Sequence, residues 1–167
     1  MTTRRDFSRA EWELLGNAPL AAGAAVAVAS PGGGAQEASA LIEGWRKAGR
    51  QFPSDQLLQA IVTELDPRDR EAQERSSGLQ ARGPQPTFDE IVDEAIALCG
   101  KAIELLVQVA TPEETEHYRA FVMQIVTQVA NATNESGFLG MGGQRISRSE
   151  RGVLQEIANA LGAQDTP

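Results

Sequence analysis

Apolar residues recur along most of this chain at intervals of three and four, the spacing that gathers them on one face of a helix. Ala38, Leu41, Ile42 and Trp45 form one such stripe, and Leu57, Leu58, Ile61, Val62 and Leu65 a second. A longer one runs from Phe88 through Ile91, Val92, Ala95, Ile96, Cys99, Ala102, Ile103 and Leu106 to Val109. Tyr118, Phe121, Val122, Ile125, Val126 and Val129 form the next, and Val153, Leu154, Ile157, Ala158 and Leu161 the last. No stretch alternates with a period of two, so the pattern predicts no sheet.

Local punctuation divides these stripes into elements. Ser8, Thr87, Thr111 and Ser147 are each followed three residues later by glutamate, the signature of a capping box that satisfies two orphan backbone donors at a helix start. Pro112 sits at a first helical position, where its missing N–H costs nothing. A first helix is expected from Arg9 to Leu15, stopped by Gly16 as a C-cap. Ala18 to Ala29 reads as a second, built from small residues that allow close helix approach and broken by Pro31-Gly32-Gly33-Gly34. Further helices are expected over about 35–48, from Pro53-Ser54 to Asp66-Pro67, and after each remaining cap, the last closed by Gly162. Residues 68–87 are charged and then rich in glycine and proline. They suit a short polar helix and a flexible connection over about 76–86. The expectation is an all-α single domain over 1–167, a compact bundle of seven to eight helices.

Composition sharpens this. Hydrophobic residues make up 41% and aromatics 5%, so the core must come from Ala, Val, Ile and Leu. The net charge of −8 argues against a nucleic-acid partner. Eight acids and one base, Lys101, fall between Pro84 and His117. Asp89/Asp93 and Glu90/Glu94 are like-charge pairs four apart, which repel on a helix unless a cation or basic partner offsets them, although their place in the first turns also suits the helix dipole. A single cysteine, Cys99, and a single histidine, His117, leave no internal disulfide and no multi-histidine metal centre. Glu114-x-x-His117 puts a carboxylate and an imidazole on one face, but a di-iron bundle needs that pair twice. No P-loop, dinucleotide fingerprint or nucleophile elbow occurs. The apolar run 18–29 falls short of a bilayer span and no signal peptide is expected, so the reading is cytoplasmic.

Gly137-Phe138-Leu139-Gly140-Met141-Gly142-Gly143 sets three large apolar residues among four glycines. Phe138, Leu139 and Met141 either plug the helix ends or form an exposed tip. With Arg145 and Arg148, such a tip would suit a protein partner or a membrane surface.

A weak duplication completes the pattern. Ala24-Ala25-Val26-Ala27-Val28-Ala29-Ser30, a glycine-rich turn and Glu37-x-x-x-Leu41-Ile42 form one unit. Val126-Thr127-Gln128-Val129-Ala130-Asn131-Ala132, a longer glycine-rich loop and Glu150-x-x-x-Leu154-Gln155 form the other. This doubled unit resembles the tellurite-resistance TerB-like family, on Ala25 to Gly33 with Glu37, and on Val129-Ala130 through Gly137 with Ser149-Glu150, Leu154-x-x-Ile157-Ala158 and Leu161-Gly162. The resemblance implies a small all-helical fold and a non-enzymatic stress-response role exercised through protein partners; a homo-oligomer is a separate partner class compatible with the sequence. It also implies weak divalent-cation binding, with Glu135 and Glu150 as the candidate carboxylates; Pro31 stands where the family carries an acid in the first loop. The alternatives are a membrane-surface adaptor using loop 137–143, and a small metal-dependent enzyme.

Overall fold

The computed structural model describes residues 1–29, 35–69, 85–135 and 147–162. A 3-10 turn at Arg4–Asp6 leads into six α-helices among these residues. They are α1 (Arg9–Ala29), α2 (Ala35–Gly49), α3 (Gln56–Glu64), α4 (Phe88–Val109), α5 (Pro112–Glu135) and α6 (Arg148–Leu161). No strand occurs among the described residues, and the fold is all-α. The central pair is α1 and α5. On one side α2 lies along α5 with α3 beside it; on the other, α4 lies along α1 and is joined by α6.

Four helix starts follow the local signals. The Thr87–Glu90 and Ser147–Glu150 boxes close in both directions. At α1, Ser8 N–H donates to Glu11 Oε2 (2.7 Å) and Glu11 N–H returns to Ser8 Oγ (3.3 Å). At α5, Thr111 N–H donates to Glu114 Oε2 (2.9 Å) and Glu114 N–H to Thr111 Oγ1 (3.2 Å). Gly162 ends α6 in the left-handed region, with φ of 67°. At α3 the start is shifted inward: the cap is Asp55, whose side chain accepts from Leu58 N–H, and not the expected Ser54.

Among the described residues six helices stand where seven or eight were expected over the chain. The two helices expected over 9–15 and 18–29 are one continuous α1 of 21 residues. Gly16 is an interior residue, not a cap. A Cβ there would lie 2.9 Å from Leu65 Cδ1, so its lack of a side chain lets the chain after α3 close onto α1. Pro19 lies inside the same helix. Proline has no N–H, and its position in the turn leaves the carbonyl four residues back without its usual donor. That carbonyl belongs to Leu15, and the buried Tyr118 hydroxyl of α5 donates to it at 2.8 Å. The tertiary bond replaces the missing helical one. At 21 residues α1 is also long and apolar enough to cross a membrane, contrary to the expectation from its alanine run; here it is a packed core helix. Residues 67–69 are helical, where the short polar helix was expected to begin; its remainder and most of the 76–86 connection lie outside the described residues.

Small residues set the spacing elsewhere. Ala18, Ala22, Ala25 and Val26 of α1 are inaccessible, as are Ala95, Cys99 and Ala102 of α4. A Cβ on Gly44 would come within 3.3 Å of the Ile125 backbone, so glycine is what allows α2 to approach α5 so closely. Trp45 fills the space between α2, α3 and α5. Its ring is wholly buried, meets Phe121 edge-on at 5.1 Å and donates its indole N–H to Val62 O at 3.1 Å. Both tryptophans are buried, as anchors of the core should be.

The bond to Leu15 yields a test. Tyr118→Phe leaves a buried carbonyl unpaired and should cost about 1–3 kcal/mol in denaturant unfolding. In a Pro19→Ala background, where the backbone N–H is restored, the same substitution should cost clearly less. Equal costs in the two backgrounds would show that the hydroxyl does not substitute for the missing donor.

Candidate functional site

Two helix starts meet at the most chemically dense point of the surface. The N-cap of α3 and the first turns of α5 border an open cleft of about 230 Å³ lined by Met1, Ser54, Asp55, Gln56, Thr111, Glu113, Glu114 and His117. Asp55 is buried and divides its carboxylate. Oδ1 accepts from Leu58 N–H at 2.9 Å, and Oδ2 lies 2.7 Å from His117 Nδ1. A carboxylate oxygen only accepts, so Nδ1 carries a proton and donates in this contact. Phe52 stacks on the imidazole at 4.3 Å and fixes its plane.

Glu114 closes the far side. Besides its cap to Thr111, it receives Thr2 N–H on Oε1 (2.9 Å) and the Thr2 hydroxyl on Oε2 (2.7 Å). Desolvation by burial alone would raise its pKa. The N–H groups of Thr111 and Thr2, with both hydroxyls, outweigh that and hold it at about 2, against an ordinary 4.5. Glu114 and His117, read from the sequence as one helical face, do border one cleft. Asp55 was missed, although an aspartate directly before Gln56-Leu57-Leu58 is a helix-start signal.

The chemistry of this cleft is limited. Among the described residues no lysine or arginine side chain lines it. Among the described residues no hydroxyl hydrogen-bonds to His117. Cys99 is buried against Ala18 O, and desolvation pushes its thiol up to about 12, which leaves it unreactive.

Of the sequence-derived candidates, Phe138, Leu139, Met141 and Arg145 lie outside the described residues. Arg148 is exposed at the first position of α6. Glu135 is the final residue of α5, and its side chain lies outside the described set. Glu150 is 2% exposed, and its Oε2 accepts from Ser147 N–H at 2.6 Å as the returning arm of the capping box. Among the described residues no three His, Cys, Asp or Glu side chains converge on a point.

Charge is instead segregated on the two flanks. Along α4, Asp89, Asp93, Glu94 and Glu104 are exposed, and among the described residues none has an ion-pair partner. The exposed side of α2 carries Arg46 and Lys47, with Arg50 in the turn that follows, beside a shallow groove of about 620 Å³ whose lining also includes Ser39, Ile42 and Glu43.

The lowered Glu114 pKa predicts a pH window. Its clamp contributes fully above pH 4.5 and fades as the pH falls toward about 2. Glu114→Gln should cost about 1 kcal/mol at neutral pH. It should also flatten the loss of stability across that acid interval, as read from denaturant unfolding at a series of pH values. An unchanged acid limb would remove Glu114 from this role.

Comparison with protein-family models, with curated proteins and with solved structures gave no match.

Proposed function

We propose that this chain is a non-catalytic helical interaction module that serves a stress response through protein partners, in keeping with its resemblance to the TerB-like family. The observation that carries the reading is the division of polar groups between interior and surface. Asp55, Glu114, Tyr118 and Glu150 are bound to backbone or caps within the bundle. The exposed acids of α4, by contrast, have no ion-pair partner among the described residues, and their i,i+4 spacing makes them repel until an external cation arrives. A basic polypeptide surface supplies such cations at fixed positions. That is how charge complementarity directs association and selects partners.

The order of elements gives further support. Glutamate is the third residue of α2, as Glu37, and the third residue of α6, as Glu150, each helix following a longer one. This is the repeated unit on which the TerB-like reading rests.

The test is genetic. A host deprived of this protein should lose tolerance to tellurite, and the parent sequence should restore it. Asp89→Asn/Asp93→Asn/Glu94→Gln, which alters exposed side chains only, should restore it poorly. Full tolerance without the protein would overturn the stress role, and full rescue by the variant would overturn the part assigned to α4.

A further inference from the structure

The two charged flanks match one another. We propose that the chain binds a second copy of itself head to tail, the basic groove on α2 of one copy seating the acidic face of α4 of the next. The inference rests on reading these flanks as interaction surfaces.

Spacing is the first argument. Arg46 and Arg50 are four residues apart, as are Asp89 and Asp93, and Glu90 and Glu94. With a rise of about 1.5 Å per residue, each acidic pair spans about 6 Å of helix, while Arg46 stands in the last turn of α2 and Arg50 in the turn just beyond it. Two helices laid side by side can therefore engage two charge pairs at once. Arg50 is exposed without an ion pair among the described residues, and Lys47 reaches only Gln128 Oε1 at 3.5 Å. Among the described residues Asp89 and Asp93 have no ion-pair partner either.

An apolar contact is available beside the charges. Phe88, at the start of the acidic face, is 43% exposed, one of few large apolar side chains left in water. The groove on α2 includes the half-buried Ile42 in its lining. An aromatic entering a groove rimmed by cations is the usual anchor of a small interface.

Topology excludes an internal solution. The central pair α1 and α5 stands between α2 and α4, so one copy cannot fill its own groove. Because the two faces differ, each docked copy still presents one of each, and association is open rather than closed. Net charges of −8 repel at a distance, but at physiological ionic strength that repulsion is screened beyond about 8 Å, whereas the opposed side chains act in contact.

Sedimentation of the full chain and two neutralised variants tests this. The groove variant is Arg46→Gln/Arg50→Gln and the face variant is Asp89→Asn/Asp93→Asn. Neutral rather than reversed side chains avoid creating a new complementary pair, and circular dichroism checks that both variants fold. The parent should gain mass with concentration and lose it in strong salt. Each variant alone should associate at least about tenfold more weakly, the scale of two exposed charge pairs. Mixed in equal amounts they should form a dimer and nothing larger, since only one intact face and one intact groove remain. A parent that stays monomeric up to millimolar concentration overturns the proposal. So does a mixture that forms no dimer, or variants that associate as the parent does. Tellurite tolerance is scored separately, so a monomeric parent with an intact tolerance phenotype would remove this inference and leave the functional reading standing.

Discussion

One hydrogen bond decides how the bundle is assembled. Pro19 should break the first long helix, and a broken helix could not run unbroken between α4 and α5. The hydroxyl of Tyr118 supplies the donor that proline lacks, and α1 continues for 21 residues. The bond is buried, so losing it would strand a carbonyl away from water, the costly side of hydrogen-bond energetics. Alanine and glycine along α1 then let its neighbours approach closely, and the lean aromatic content stops being a handicap. Close approach of small residues takes the place of bulk.

A second theme is that buried and half-buried carboxylates serve helix ends. Asp55, Glu114 and Glu150 each accept from backbone N–H groups that would otherwise be orphaned. Asp55 and Glu114 do this twice over, because each also binds a distant element: His117 in one case and Thr2 in the other. The cleft between them is therefore a structural junction first. Its acceptors are largely occupied, which turns the search for function toward exposed charge.

Much of this was readable from residue order. Capping boxes span three residues and work through their own backbone, so Ser8, Thr87, Thr111 and Ser147 announced four helix starts correctly. The stripes on α3, α4 and α5 fell on the core as their period required, except for Phe88 at the start of α4, which is exposed, and Cys99 is buried within one of them. What sequence could not disclose depended on remote partners. Gly16 and Pro19 carry the marks of a helix boundary, and the local reading split α1 in two. Leu65 and Tyr118 overrule those marks, the latter across 103 positions. Likewise Asp55 prevails over Ser54 as the cap of α3 in partnership with a histidine 62 positions away. A pair of neighbouring capping residues cannot be ranked without knowing what stands opposite. The apolar glycine loop and Arg145 fall outside the described residues, and Arg148 alone of that group is described, exposed at the start of α6.

The flanks of α2 and α4 exist as separate faces because a continuous α1 and α5 hold them apart. If α1 were two short helices, the placement of α4 relative to α2 would be lost. Native-state hydrogen exchange across α1 measures this directly. The account predicts that amides from Leu20 to Val26 exchange only with global unfolding, as do those of Leu14 and Leu15 on the other side of Pro19. Exchange of either group through a separate, lower-energy opening would contradict it, because it would mark a helix hinged at Pro19 instead of one spliced across it by Tyr118.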